Sequence, residues 1–441
     1  MKNTRYIVYK ALLRVDRDSA YSNLVLDEEL RDPELDARDK AFISNIFYGV
    51  LERRITLDYI IRHFSSIRLK KIEPKVLMIL RIAVYQLVFM DKVPDNAAVN
   101  EAVKLCKKEK LFHSGGFVNG LLRSITRSEE RFPLPDERDR VKYLSVKYSC
   151  PEDIVTLWIE DYSYEITEQL LGSLSGRPPI YIRVNTLKTT AAELIGKLSS
   201  ESVSAKTTPL DNCLELEFTG SIASLDCYRQ GLFHVQDMSS QICCEIVGAS
   251  DTDTVSDVCA APGGKSLNLA QRVGGGKVIS CDIYDHKIKL IASSAKRLGI
   301  SNINAMIRDA SDTEKPLEMS DRILCDVPCS GLGVMRRKPE IRYKSDTGVG
   351  TLPKLQLAIL ENSARFVKPG GTLVYSTCTL NKKENNDNAA AFLNAYPEFE
   401  PLPIHIPNGI KRTIEEDDNC LTLFPQTNGT DGFFIAAFRK K

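Results

Sequence analysis

Residues 254–282 read TVSDVCAAPGGKSLNLAQRVGGGKVISCD, and few backbones accept that order of letters. An apolar run ending on Asp257 predicts a strand. Cys259, Ala260, Ala261, Pro262, Gly263 and Gly264 then make a tight turn, a helix opens near Lys265, and residues 277–281 supply a second strand. Paired glycines let backbone N–H groups approach a ligand closely where a helix begins. Asp282 stands at the tip of the second strand, where an acid grips ribose hydroxyls. This is the front half of a nucleotide-type pocket, and a ligand with an adenosine end fits it.

Two other pockets share some of these letters. A P-loop requires G-x-x-x-x-G-K-[ST]; Gly264, Lys265 and Ser266 supply its end, but Cys259 occupies the position of its first glycine. The dinucleotide fingerprint G-x-G-x-x-G is missing too, because the turn reads A-A-P-G-G-K, which disfavours a hydride-transfer enzyme.

At 441 residues the chain exceeds one ordinary core, and we expect two or three domains. The net charge of +1 advertises no polybasic tail, so any nucleic acid must meet local basic faces. The N-terminal residues lack an apolar stretch of signal-peptide length and no run approaches a membrane span, so we expect a cytoplasmic protein without membrane contact. Twelve cysteines in such a chain point to reduced thiols. No C-x-x-C pair occurs and the five histidines do not cluster with cysteines, so no metal site is expected. Cys106, Cys213, Cys281 and the Cys243–Cys244 pair are expected as small core residues.

Residues 1–130 repeat apolar positions at helical spacing, with breaks at Pro33, Pro74 and Pro94, and predict about six packed helices. A polar connector, RSEERFPLPDERDR, ends that domain. Residues 140–236 follow as linker helices and a small α+β module, in which Arg183 and Asn185 share one face of an alternating strand, either to touch RNA or as an ordinary exposed strand face. Residues 237–441 alternate strands and helices, with strands near 254–258, 277–281, 303–308, 322–326 and 371–376. This predicts a doubly wound sheet, with two tail strands pairing antiparallel at one edge. The residues 344–356, glycine-rich and following Arg336, Arg337 and Lys338, read as a mobile loop facing RNA or as an ordinary flexible one.

In such a sheet, ligands bind beyond the carboxyl ends of the parallel strands. Those tips carry the glycine turn, Asp282, Asp309 and Asp326. Cys329 follows Asp326 in a glycine-rich turn, and Cys378 sits in a turn beyond the next strand. Two thiols then face one pocket. A disulfide between them is disfavoured in a reduced chain, and their place in loops argues against inert packing.

The segments YIRVNTLK, VQDMSSQ, DVCAAPGGK, ISCDIYDHKI, CDVPCSGLGVMRRKPEIR, GGTLVYSTCTLNKKENN and DGFFIAAF resemble the successive motifs of the NOL1/NOP2/Sun family of RNA 5-methylcytosine methyltransferases. The runs KVLMILRIAVYQLVFMDKVPDNAAVNEAV and GGFVNGLLRSI resemble the NusB domain, an RNA-contacting helical fold. Together these resemblances imply an all-α NusB-like domain, a small α+β module and a Rossmann-like catalytic domain. They also imply methylation of 16S rRNA at a single-stranded or unstacked cytosine, by a monomer. S-adenosyl-L-methionine would lie on Cys259, Ala260, Ala261, Pro262, Gly263, Gly264, Lys265, Asp282, Asp309 and Asp326. Cys378 matches the family's nucleophile, Cys329 the cysteine that assists release, and Asp326 the contact to the cytosine; Asp326 can serve as an acid toward the N3 edge if burial raises its pKa enough to keep a proton. The turn at Cys378 reads T-C-T where many relatives have T-C-S, a conservative hydroxyl change. The same chemistry on tRNA, or a non-catalytic RNA-binding assembly factor, are the alternatives; two thiols at adjacent strand tips disfavour the latter.

Overall fold

The computed structural model of the protein describes residues 3–18, 22–343 and 350–441. The chain forms two compact units, Met1–Ser175 with Arg337–Ser345, and Gly176–Arg336 with Asp346–Lys441. Among the described residues no helix is long and apolar enough to cross a membrane.

The first unit is helical. Its central helix, Pro74–Phe89, opens with proline at its first turn and is buried on nearly every face, as a helix surrounded by others must be. Helices Thr4–Asp18, Ala37–Glu52, Arg54–Phe64, Asp95–Lys108 and Gly115–Arg127 close around it through Leu12, Phe47, Leu57, Val99 and Leu122. Arg81 lies inside this core, tolerated because Asp58 accepts from its Nε and Nη2 at 2.7 Å each. Helices Arg140–Tyr148, Glu152–Tyr162 and Tyr164–Ser173 complete the unit and bury Trp158. A short turn from far along the chain, Pro339–Tyr343, also belongs here. Its buried Arg342 donates to the carbonyls of Glu52, Ser149 and Leu174, while Glu340 accepts from Ser22 Oγ at 2.7 Å. Of the expected loop at 344–356, residues 344–349 lie outside the described residues, and helix Leu352–Ala364 takes up most of the rest.

The second unit begins with a four-stranded antiparallel sheet. Its strands β1 (Ile180–Val184), β2 (Ser204–Thr207), β3 (Cys213–Glu217) and β4 (Phe233–Val235) run in the order β2-β3-β1-β4. Arg183 and Asn185 do not face RNA: both are buried. Arg183 donates to the carbonyl of Asp211 at 3.0 Å, and Asn185 Nδ2 donates to the carbonyls of Gly231 and Leu298 at 2.7 and 2.8 Å. The alternation of β1 was legible, but the helix that covers its polar side was not.

The larger sheet holds β5 (Thr254–Asp257), β6 (Lys277–Asp282), β7 (Ile303–Ile307), β8 (Ser320–Asp326), β9 (Val367–Thr377), β10 (Phe399–Pro401), β11 (Cys420–Leu423) and β12 (Phe433–Lys440). Its order is β10-β12-β9-β8-β5-β6-β7, with β11 paired to β12. Strands β5 to β9 are mutually parallel, and β12 runs antiparallel to β9, β10 and β11. The tail strands therefore do more than close an edge, because β12 wedges between β9 and β10. Every residue of β12 from Phe433 to Phe438 is buried, which explains its unbroken apolar run. The order reverses at β5 and β8, and the crevice beyond their carboxyl ends is where such sheets bind ligands.

Candidate active site

At the end of β5 the chain turns back sharply. The Ala260 amide donates to Cys281 O at 2.8 Å, tying the turn to the tip of β6. Gly263 adopts φ 105°, a conformation that only glycine takes without strain, and a Cβ there would stand 3.0 Å from Ile291. A Cβ on Gly264 would meet nothing nearer than 3.9 Å. The turn is thus a glycine-bearing cradle beside the sheet's crevice, with room above Gly264.

Asp282 ends β6 and is nearly buried, with Oδ1 accepting the Tyr284 amide at 3.1 Å and Oδ2 facing Lys287 Nζ at 3.4 Å. Asp309 follows β7, and the hydroxyl and amide of Ser311, at 2.7 and 2.9 Å, hold its carboxyl below the ordinary carboxylate value. Between these acids in sequence, Ile283, Tyr284 and Ile307 leave half of their surface to solvent, unusual for large apolar side chains at the tips of a buried sheet. Acids for hydroxyls and an amine, flanked by apolar side chains for a flat ring, fit an adenosine.

Asp326 ends β8. Lys265 Nζ donates to its Oδ2 at 2.7 Å and Ser376 Oγ to its Oδ1 at 2.9 Å. Asp326 is one half of an ion pair, since the lysine two residues past Gly263 reaches it. Burial opposes the charge on Lys265, but Asp326 outweighs it, and the ammonium is held above its ordinary value. The Phe433 ring lies 5.0 Å from the same Nζ.

The thiols meet. Cys329 Sγ and Cys378 Sγ stand 3.0 Å apart, both free and half-buried. The Cys329 thiol is pushed well above its ordinary value, first by its hydrogen bond with Cys378, then by burial and by the charges of Cys378 and Glu384. Cys106, Cys213, Cys243, Cys244 and Cys281 lie in the cores, as expected. No group of three or more His, Cys, Asp or Glu placed to hold a metal occurs among the described residues.

Sequence reasoning missed the polar residues beneath this pair. Residues 381–385 precede the helix that begins at Asn386. They form a turn whose Asn381, Glu384 and Asn385 side chains are buried against both cysteine loops. Five consecutive polar letters following a buried strand and turn were the available signal.

Five parallel strands with an antiparallel neighbour, an adenosine cradle at β5 and paired thiols at β8 and β9 define a Rossmann-like methyltransferase that uses S-adenosylmethionine. The family model described as 16S rRNA methyltransferase RsmB/F matches residues 245–439, the NusB family model residues 2–127, and the RsmF/B-like ferredoxin-like domain model residues 150–223. The chain is 37% identical to the probable ribosomal RNA small subunit methyltransferase B of Bacillus subtilis (strain 168), and 33% identical to the corresponding protein of Synechocystis; each alignment covers 100% of both chains. The crystal structure of PH0851 superposes with a TM-score of 0.82 at 26% identity, covering 100% of this chain and 99% of the other. This chain belongs to the RsmB/F methyltransferase family.

Proposed function

We propose that the protein methylates C5 of one cytosine in 16S rRNA through a transient bond between Cys378 and C6 of the base. The observation that carries this reading is the 3.0 Å approach of two free thiols at neighbouring strand tips, with the Lys265–Asp326 pair hydrogen-bonded to the Ser376 that precedes Cys378 by two residues. Cytosine C5 is a poor nucleophile until a thiolate adds to C6. Cys378, the residue that matches the family's nucleophile, is the sulfur that attacks, with Cys329 Sγ beside it at 3.0 Å. Electron density moves to the N3 edge of the ring, where the Lys265 ammonium meets it and Asp326 accepts from the exocyclic amine. Bound along 259–264, Asp282 and Asp309, S-adenosylmethionine supplies an electrophilic methyl group.

Release follows from the same pair. The C5 proton departs to water, the C5–C6 double bond re-forms, and the C6–S bond breaks with its electrons on Cys378. Cys329 S–H stabilises that departing thiolate. Its proper role is therefore donor to the leaving sulfur, since a thiol held in its protonated form is a weak base. The target base must be unstacked or single-stranded to reach the crevice. The relatives are rRNA small-subunit methyltransferases by name, which favours rRNA over tRNA, and we place the reaction in a cytoplasmic monomer.

Replacing Cys378 with Ala abolishes transfer and leaves cofactor affinity near wild type. Replacing Cys329 with Ala traps a covalent protein–RNA complex, visible on a denaturing gel; no shifted band with that variant would refute the division of roles. Bisulfite sequencing of rRNA from cells lacking the protein identifies the cytosine.

A further inference from the structure

The turn at 381–385 grips both cysteines from behind. Glu384, fully buried, accepts from the Ser330 amide at 2.9 Å, Ser330 Oγ at 2.5 Å, Gln356 Nε2 at 2.8 Å and Asn381 Nδ2 at 3.0 Å. Gln356 Nε2 also donates to Pro328 O at 3.0 Å, so the peptides on both sides of Cys329 are fixed through this one carboxylate. Asn385, equally buried, does the same for the second thiol: its Oδ1 accepts from Thr377 Oγ1 at 2.6 Å and its Nδ2 donates to Thr379 O at 2.9 Å, on either side of Cys378. A 2.7 Å bond between Ser330 Oγ and Thr379 Oγ1 ties the two loops together. Among the described residues the four donors to Glu384 are neutral, and burying a carboxylate on neutral donors is costly for stability alone.

We infer that Glu384 and Asn385 are paired positioning residues, Glu384 aiming Cys329 for release of the product and Asn385 aiming Cys378 for attack on the base. This rests on the covalent reading above. Consecutive residues reach opposite loops because the turn precedes helix Asn386–Ala395 and points two neighbouring side chains apart. The charge of Glu384 also contributes to holding the Cys329 thiol protonated, as a donor to the leaving sulfur requires. In the affected step the C6–S bond breaks with its electron pair on Cys378, the C5 proton passes to water, and Cys329 keeps its own proton throughout.

The test is single-turnover methylation by the full-length protein, using unmethylated 16S rRNA and radiolabelled S-adenosylmethionine, with adduct and free product resolved on a denaturing gel. Glu384→Gln retains shape but turns an N–H₂ toward two donors; its release slows on the order of tenfold or more and labelled adduct accumulates, as with Cys329→Ala. Asn385→Ala slows adduct formation by a similar factor and accumulates none. If Glu384→Gln folds poorly, Ser330→Ala keeps the amide bond, removes the hydroxyl bonds and gives a smaller shift toward accumulated adduct. Equal loss of attack and release in both variants would mean a merely structural brace and overturn the inference. Wild-type release in Glu384→Gln and Ser330→Ala, with adduct trapped in Cys329→Ala, overturns it alone; no adduct in Cys329→Ala overturns it together with the covalent mechanism.

Discussion

Asp257 carries a pH-dependent free energy that changes across the neutral range. It ends β5 beneath the glycine turn, 1% exposed, with Oδ2 accepting from Ser266 Oγ at 2.7 Å and Oδ1 without a partner among the described residues. Burial, with the charge of Asp326 adding to it, lifts its carboxyl from 3.8 to about 7 against the opposing Ser266 and Lys265. The folded chain then binds this proton more tightly than the unfolded chain. The associated stability is fully present below pH 3.8 and is lost as the pH rises through about 7. A span of roughly three pH units corresponds to about 4 kcal/mol in total, of which roughly 2–3 kcal/mol falls between about pH 5 and pH 8. Asp257→Asn removes the titration and retains an acceptor for Ser266. The single tryptophan, Trp158, lies in the helical unit, so its fluorescence reports on the wrong unit. Hydrogen exchange of the β5 and β6 amides reads the right one. Relative to the variant, wild-type protection of those amides should fall by about 2–3 kcal/mol from about pH 5 to pH 8. Parallel curves for the two proteins across that window would refute the reasoning.

Two further substitutions test the cradle and the cysteine turn. A Cβ on Gly333 would stand 1.9 Å from Gly432 O and 2.9 Å from Cys378 O, both backbone atoms, while the Gly333 amide donates to Cys378 O at 3.0 Å. Gly333→Ala should therefore destabilise the second unit by about 3 kcal/mol and abolish adduct formation, measured by amide exchange and the denaturing gel. Asp282→Ala should weaken S-adenosylmethionine binding about tenfold or more by titration calorimetry, while thiol alkylation of Cys378 proceeds at the wild-type rate.

Much of this was legible in the letters because it is local. Helical periodicity marked the first unit, and the turn from Cys259 to Gly264 marked the start of the sheet, since glycine and proline act on their own backbone. Asp282, Asp309 and Asp326 were legible as strand tips because a parallel sheet presents its carboxyl ends to one crevice. The placement of β12 between β9 and β10 was not, because an apolar run states only that both faces are covered and not by which strands.

Residue types and their order alone determined that this chain builds a glycine turn at the tip of β5 and carries two cysteines on loops beyond neighbouring strands. Only the tertiary structure decided that Lys265 pairs with Asp326, that Arg183 and Asn185 are buried, and that Glu384 and Asn385 hydrogen-bond the loops of two thiols 3.0 Å apart. A polar side chain's partner is chosen by what folding brings within hydrogen-bond reach, often from dozens of residues away, and that choice leaves no periodic trace in the sequence.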